Sequence, residues 1–311
     1  MKKYFILGAL AFLVFASASS FVGTASAQSP PIKSRADFDG DGKTDISVFR
    51  PSNGTWYILN SSTGFSGFQF GANGDTVVPG DYDGDGKVDY TVFRPTNTAG
   101  DPDFYSLNSS NNTVTFLSFG SVGDIPVPMD IDGNGISDFA VFRPTTLIGP
   151  PYWYIGPFGY FLQFGQAGDL PFAMDSEGDG KSNLVVFRPS EGNWYIRRHI
   201  PFATIDKAPF GIAGDIPVPA DYDGDNKEDI AVFRPSNGMW YILRSSDGQV
   251  QYTQFGANGD IPVPGDYDGD GTDDVAVYRS GVWYINGSTA GFSGVKFGLS
   301  SDIPVPAKYH P

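Results

Sequence analysis

The sequence contains the same motif six times, and this repetition constrains the fold more than any other feature. An acidic loop of the form Asp-x-Asp-Gly-Asp-Gly-x-x-Asp, or a close variant of it, recurs at intervals of 44 to 49 residues. Fixed periods of this size are typical of architectures in which one supersecondary unit is repeated and packs against its neighbours. The loops begin at Asp37, Asp81, Asp130, Asp175, Asp221 and Asp266.

Each unit contains four segments with the composition of β-strands. Ile-Pro-Val-Pro precedes three of the loops, Val-Phe-Arg-Pro follows five, Trp-Tyr-Ile comes next in most units, and a Phe-Gly pair ends each unit. Alternating, β-branched and aromatic segments separated by Gly, Pro, Ser and Asn are typical of strands joined by turns. A four-stranded unit of about 45 residues is the size of a propeller blade. The sequence therefore predicts an all-β fold, a β-propeller of six four-stranded blades, with a seven-bladed ring or an open arc as alternatives.

The two ends of the repeat array predict how the ring closes. Proline removes a backbone donor and belongs on edge strands, so Pro126 and Pro128 place the first strand of a blade at its inner edge. The final segment, from Asp302 to Ala307, has this first-strand sequence, but no acidic loop follows it. We expect the C-terminal strand to complete the first blade.

Residues 1–27 have the features of a secretory signal peptide. Lys2 and Lys3 are followed by a mainly apolar run and by the small-residue cleavage pattern Ala25-Ser26-Ala27. The run is shorter than the roughly 20 residues that span a bilayer, so a membrane anchor is the weaker interpretation. We expect one propeller domain over residues 28–311, secreted to the extracellular space or the periplasm, with no membrane span in the mature chain.

Composition excludes several function classes. The chain has no cysteine, so it has no disulfide, no thiol nucleophile and no Cys-based zinc site. Its 20 basic and 35 acidic residues give a formal charge of -15, which argues against nucleic acid as a partner. Of the acidic residues, 22 occupy the carboxylate positions of the six loops. The charge is therefore explained by the loops and says little about partners.

The acidic loops have the pattern of calcium sites. Ca²⁺ takes six to eight oxygen ligands, and carboxylates at positions 1, 3, 5 and 9 of each loop, with the carbonyl of position 7, supply them. Glycines at positions 4 and 6 allow the chain to turn tightly around the ion. The alternative is a set of ordinary Asp/Gly turns, and an EF-hand does not fit, because position 12 is valine in every copy. The predicted ligands are Asp37, Asp39, Asp41, Lys43 and Asp45; Asp81, Asp83, Asp85, Lys87 and Asp89; Asp130, Asp132, Asn134, Ile136 and Asp138; Asp175, Glu177, Asp179 and Lys181; Asp221, Asp223, Asp225, Lys227 and Asp229; and Asp266, Asp268, Asp270, Thr272 and Asp274.

Two loops depart from this pattern. In the third, Asn134 replaces a carboxylate, and we still expect metal binding. In the fourth, Glu177 stands at position 3 and Asn183 at position 9, so binding there is left open. The prediction is five to six Ca²⁺ sites.

The loops resemble those of integrin-type FG-GAP and VCBS repeats, and the Phe-Gly pairs match the dipeptide that gives the first of these its name. The resemblance covers residues 32–311. It implies calcium binding between the first two strands of each blade. One departure is the Arg-Pro that stands after strand two, where integrins have Gly-Ala-Pro; another is that many such propellers have seven blades.

Two repeated features have both a structural and a functional interpretation. Six arginines after strand two, such as Arg50, match six aspartates before strand one in number and phase. Structural ion pairs are the favoured interpretation, and a ring of ligand-binding arginines is the alternative. The strand-three tryptophans, such as Trp56, can stack on sugars, but packing between blades is the favoured interpretation.

Function is better sought in copy-specific segments than in repeated ones. The insertions lie near Asp101 to Asp103, Leu147 to Tyr152 and Arg197 to Lys207, where Arg197, Arg198 and His199 form a basic cluster. A solvated hairpin tip is the favoured interpretation of this cluster, and an acidic ligand the alternative. No unrepeated acid–base constellation predicts catalysis. We expect a non-enzymatic binding or adhesion module for extracellular glycan or protein ligands; the alternatives are a polysaccharide lyase or hydrolase and a purely structural protein.

Overall fold

A computed structural model describes residues 36–96, 98, 100–144, 149–156, 159–198 and 204–306. The predicted signal peptide, residues 1–27, lies outside this range. Within it the chain forms 24 strands, and no helix there reaches the length and apolarity that crossing a bilayer requires. In chain order the strands are β1 (Ile46–Arg50), β2 (Thr55–Asn60), β3 (Gly64–Gln69), β4 (Thr76–Val77), β5 (Tyr90–Phe93), β6 (Phe104–Leu107), β7 (Val114–Leu117), β8 (Ile125–Pro126), β9 (Ala140–Arg143), β10 (Tyr152–Ile155), β11 (Tyr160–Gln163), β12 (Leu170–Met174), β13 (Asn183–Arg188), β14 (Asn193–Arg198), β15 (Thr204–Pro209), β16 (Ile216–Pro217), β17 (Ile230–Arg234), β18 (Met239–Leu243), β19 (Val250–Gln254), β20 (Ile261–Pro262), β21 (Val275–Arg279), β22 (Val282–Gly287), β23 (Gly291–Lys296) and β24 (Ile303–Pro304).

The strands form six antiparallel four-stranded sheets, which are the blades of a β-propeller. Blade 1 contains β24, β1, β2 and β3, and each later blade takes the next four strands, from β4–β7 in blade 2 to β20–β23 in blade 6. The C-terminal β24 pairs with β1, with Val48 opposite Pro304. Six blades and closure by the C-terminal strand are therefore confirmed, and the seven-bladed and open alternatives are wrong.

The first strand of each blade is short because of its prolines. In blade 3, β8 pairs with β9 alone, and the Val127 amide donates to the Ala140 carbonyl at 2.9 Å. Pro126 and Pro128 flank this valine and lack donors, so the free side of the strand needs no partner strand. Blade 4 has Ala173 where most other blades have the second proline, and its first strand, β12, accordingly extends over five residues.

The strand-three tryptophans pack between blades. The Trp56 indole N–H donates to the carbonyl of Phe70 at 2.7 Å, and its ring lies 5.6 Å from Phe49 in its own blade and 5.6 Å from Tyr90 in the next. The same donation to a Phe-Gly carbonyl occurs in blades 3 to 6. All five tryptophans are fully buried, so the packing interpretation is confirmed.

The recurring arginines form the expected ion pairs within their own blades. Each guanidinium donates through two nitrogens to one aspartate, and each lies over a strand-three tyrosine ring, at 4.3 Å for Arg50 and Tyr57. A bidentate pair of this kind fixes direction as well as charge. The pairs are Arg50–Asp302, Arg94–Asp75, Arg143–Asp124, Arg188–Asp169, Arg234–Asp215 and Arg279–Asp260.

Candidate metal centres

In blades 2 to 6 the acidic loop joins the first and second strands, in blade 1 it precedes the second strand β1, and every loop turns around its first aspartate. In the first loop, Asp37 Oδ1 accepts from the Gly40 amide at 2.7 Å and Oδ2 accepts from the Gly42 amide at 2.8 Å. Both glycines have left-handed backbone, with φ of 79° and 89°. The same two contacts recur in the other five loops. The repeated sequence therefore gives a repeated loop conformation.

The fifth loop tests the requirement for glycine at position 6. Asn226 stands there with φ of 66°, and its amide still donates to Asp221 Oδ2 at 2.9 Å. Asparagine tolerates left-handed backbone better than other residues with a Cβ, so the loop keeps its shape.

In five of the six loops, oxygens of three acidic groups converge. One oxygen from each of the three lies within 4.8 Å of the other two, and such a group can hold a metal ion. The clusters are Asp37, Asp39 and Asp41; Asp81, Asp83 and Asp85; Asp130, Asp132 and Asp138; Asp221, Asp223 and Asp225; and Asp266, Asp268 and Asp274. The third loop belongs to this set despite Asn134. The structure describes all nine positions of the fourth loop, and three acidic oxygens do not converge there.

The position-3 aspartates have an oxygen that suits a cation. Oδ1 of Asp39, Asp223 and Asp268 is buried and accepts no hydrogen bond within the described part of the chain. A buried, unpaired carboxylate oxygen is costly unless it is paired with a charge or coordinates a metal. Since Ca²⁺ is bound by oxygen ligands of this type, the residues present in these loops fit the ion.

Burial disfavours the ionised forms of the position-9 aspartates. Burial raises the pKa of Asp229 to about 7 and that of Asp45 to about 6, and neighbouring loop carboxylates add to the shift. Burial raises the pKa values of Asp89, Asp138 and Asp274 to about 6 in the same way. A divalent cation among these groups would favour their ionised forms.

A pair of hydroxyl residues supports the carboxylates of four loops, and sequence reasoning missed it. In blade 1, Ser61 Oγ donates to Asp41 Oδ2 at 2.5 Å and Ser62 Oγ donates to Asp39 Oδ2 at 2.6 Å. The Ser61 amide also donates to Asp45 Oδ1 at 2.7 Å. Partners that orient metal ligands in this way strengthen metal binding. We call these residues, in the turn between strands three and four, the turn serines: Ser61 and Ser62, Ser109 and Ser110, Ser245 and Ser246, and Ser288 and Thr289. Their signal is a constant spacing, with the first member five residues after the leading strand-three aromatic.

Position 7 has a role that the sequence did not indicate. Ligation through its carbonyl stays a prediction, but its side chain lies against the position-4 glycine of the preceding loop. A Cβ on Gly269 would lie 2.6 Å from Cε of Lys43, and one on Gly133 would lie 2.9 Å from Cγ of Lys181. The Lys43 ammonium also donates to the Asp268 carbonyl at 3.0 Å. Position 4 therefore has little room for a side chain beside the neighbouring loop, in addition to a φ that favours glycine.

Position 8 links the six loops into a closed ring. Its amide donates to the position-1 carbonyl of the preceding loop, and the Thr44 amide donates to the Asp266 carbonyl at 2.7 Å, which joins the first loop to the last. The other bonds run from Val88 to Asp37, Ser137 to Asp81, Ser182 to Asp130, Glu228 to Asp175 and Asp273 to Asp221. A cavity of about 190 Å³ opens inside this ring, between residues that include Pro79, Pro128 and Glu228.

Two charged residues of the copy-specific segments, Asp103 and Arg198, are engaged within the protein. Asp103 is buried, and its Oδ1 accepts from the Thr96 amide at 3.0 Å. Within the predicted basic cluster, Arg198 is paired with two acidic residues, Glu177 and Asp206. His199 and residues 147 and 148 lie outside the described part of the chain.

Two segments of the sequence match a known repeat. Residues 37–92 and 221–277 match the FG-GAP-like repeat. Each segment runs from the start of one acidic loop, through the next loop, into the following second strand. No curated protein has a sequence that matches this chain.

Solved structures share the fold at low sequence identity. A lectin from Agrocybe aegerita that recognises non-reducing terminal N-acetylglucosamine is 17% identical, with a TM-score of 0.53 over 83% of this chain and 77% of the lectin chain. TolB from Acinetobacter baumannii is 15% identical, with a TM-score of 0.52 over 84% of this chain and 63% of the TolB chain. At these identities the likeness establishes the fold alone.

Proposed function

We propose that the protein is a secreted, calcium-binding propeller of the FG-GAP and VCBS type that acts as a non-enzymatic binding module for extracellular glycan or protein ligands. The observation that supports calcium is the convergence of three acidic groups in each of five loops, with an unpaired buried oxygen on Asp39, Asp223 and Asp268. The two FG-GAP-like segments agree with this assignment. Secretion rests on residues 1–27.

Calcium is favoured over magnesium by the number and kind of oxygens. Carboxylates at four positions and a carbonyl at a fifth suit an ion that takes six to eight ligands, whereas Mg²⁺ demands octahedral geometry and keeps several waters. The ion has a structural role in this proposal, because the loops bond to one another around the ring through Thr44, Val88 and their counterparts.

The outer strands offer the surface that suits a ligand. Five of them have an aromatic side chain that is between 59% and 67% accessible: Phe65, Phe116, Phe161, Tyr252 and Phe292. Aromatic faces stack on sugar rings and on apolar protein groups. The tryptophans are buried, so we propose that ligands bind at the circumference.

The proposal assigns no catalytic residue. The loop carboxylates bond to backbone amides and turn serines, and the arginines are paired with aspartates. Both histidines, His199 and His310, lie outside the described residues.

A glycan array tests the binding function. The mature chain, residues 28–311, is applied with calcium and after chelation, beside Phe161→Ser combined with Phe292→Ser. We expect glycan binding that falls at least tenfold in the double variant, while Val122→Ser, which alters an exposed apolar residue outside the outer strands, leaves it unchanged. Binding to no glycan together with turnover of a polysaccharide would overturn the proposal in favour of an enzyme.

A further inference from the structure

The fourth loop has the backbone of a metal site but not its ligands. Asp175 accepts from the Gly178 and Gly180 amides at 2.7 and 2.8 Å, as in the other loops. Yet it is the one loop, all nine positions being described, in which three acidic oxygens do not converge within 4.8 Å. The residues at positions 3 and 9 explain the difference.

At position 3, Glu177 faces a guanidinium. Nη1 of Arg198 lies 3.6 Å from Glu177 Oε1, and both side chains are largely buried, with 29% and 21% of their surface exposed. The side-chain amide of Asn183 donates to the other oxygen, Oε2, at 3.5 Å. Both oxygens therefore have partners within the protein, one a guanidinium and the other a neutral amide. In the first, fifth and sixth loops one oxygen of the corresponding aspartate has none.

At position 9, a neutral amide replaces a buried carboxylate. Asn183 is 4% exposed, and its Oδ1 accepts from the amide of Ser176 at 3.2 Å. The other five loops have an aspartate at this position, and Asp138 and Asp274 belong to the converging groups of the third and sixth loops. The fourth loop has thus lost one of the carboxylates that could hold an ion.

The turn of blade 4 has changed together with its loop. Where four blades have the turn serines, blade 4 has His199 after Arg198, which ends strand β14. An arginine at this place does not by itself remove a metal site, because blade 5 has Arg244 there. Arg244 pairs with Asp247 instead, and Ser246 donates to Asp223.

We infer that the fourth blade binds no calcium and that the guanidinium of Arg198 supplies the positive charge that the ion supplies in the other five. The inference rests on the proposed calcium binding. The propeller then has five Ca²⁺ sites, and in the remaining loop, the fourth, an arginine side chain of the protein takes the place of the ion. Blade 4 would accordingly be stable at calcium concentrations that empty its neighbours.

The number of bound ions tests this directly. The mature chain is equilibrated with Ca²⁺, and the protein-bound metal is counted by elemental analysis and by calorimetric titration. We expect five ions per chain, five again in Asp175→Asn, and four in the matched variant Asp221→Asn. Six ions, or the loss of one in Asp175→Asn, would overturn the inference. Binding of no calcium would instead reject the proposed function.

A gain-of-site variant tests the role of Arg198. Glu177→Asp and Asn183→Asp restore the carboxylates of the fifth loop, and Arg198→Ser removes the guanidinium; with all three changes we expect six ions per chain. If this variant folds, as judged by its far-ultraviolet circular dichroism, and still binds five, the role given to Arg198 is wrong. If the triple variant does not fold, Arg198→Ser alone tests the same role. We expect this variant to lose the same number of degrees of Tm with and without calcium. A loss of Tm confined to the calcium-bound protein would contradict the role given to Arg198.

Discussion

Arg50 and Asp302 are 252 residues apart in the chain, and their side chains form a bidentate ion pair with both N···O distances at 2.8 Å. The Asp302 side chain is fully buried, and Arg50 is 21% exposed. In the other five blades the equivalent partners are 19 residues apart. The same contact that organises a blade elsewhere therefore joins the two ends of the chain in blade 1.

Removing the charge of Asp302 is expected to weaken ring closure. Asp302→Asn leaves Arg50 without its partner and should cost about 2–3 kcal/mol, somewhat less than a fully buried pair because Arg50 retains solvent contact. Asp260→Asn removes the equivalent pair within blade 6 and serves as the control. Limited proteolysis should release the C-terminal segment faster in Asp302→Asn than in Asp260→Asn. Equal release would contradict a special role for the closing pair.

Chelation is expected to lower the Tm. An ion that binds only the folded state stabilises it by about 2.7 kcal/mol for each site held at one hundred times its Kd. Scanning calorimetry in calcium and in a chelator, with magnesium as the control ion, measures the effect. A Tm that chelation leaves unchanged would show that calcium does not stabilise the ring.

The turn serines should set calcium affinity through the orientation of their carboxylates. Ser246→Ala removes the 2.6 Å hydroxyl bond to Asp223 Oδ2, and loss of such a partner typically weakens metal binding by about 10- to 100-fold. Ser246→Thr should retain the affinity, because Thr289 makes the corresponding bond in blade 6. Calorimetric titration of Ser246→Ala and Ser246→Thr distinguishes loss of the hydroxyl hydrogen bond from a change in packing, because a change in packing would weaken calcium binding in both variants equally.

The metal-free protein should become less stable as the pH rises. Burial raises the pKa of Asp229 to about 7 and that of Asp45 to about 6, whereas an unfolded aspartate titrates near 3.9. The folded state therefore binds more protons in this interval, and the stability that protonation supplies is lost between about pH 4 and pH 7. Thermal melts of metal-stripped protein measure the trend.

Calcium should oppose this trend, because protons compete with the ion for the same carboxylates. Asp229→Asn provides the matched variant, since it should flatten part of the pH dependence in the metal-free protein. A metal-free Tm that rises from about pH 5 to about pH 7 would be inconsistent with buried, destabilised carboxylates.

The blade architecture was predictable because each of its determinants is repeated. The strand-one prolines, the arginines and aspartates equivalent to Arg50 and Asp302, and the strand-three tryptophans recur at fixed phase in five or all six copies, so one interpretation applied to every blade. The missing blade strand at one end and the spare strand at the other specified closure. The position-1 aspartates and their glycines were likewise readable from spacing.

What escaped prediction depends on contacts between distant segments. Ser61 and Ser62 look like ordinary turn residues, and only the fold shows that they lie beside Asp41 and Asp39. The approach of Lys43 to Gly269 joins loops at opposite ends of the sequence. Arg198, at the end of a strand, pairs with Glu177 in a loop. Among the described residues this pair is not repeated in the other blades, so the repeat pattern could not predict it.

The ring of position-8 hydrogen bonds has a consequence for stability that open repeat arrays do not share. In an open array the terminal repeats have only one neighbour and require specialised capping sequences with a polar outer face. Here the Thr44 amide bonds to the Asp266 carbonyl, so every loop has a neighbour on both sides. No blade needs to be a cap, which leaves all six free to keep the same internal sequence and lets one of them, the fourth, diverge without exposing an end.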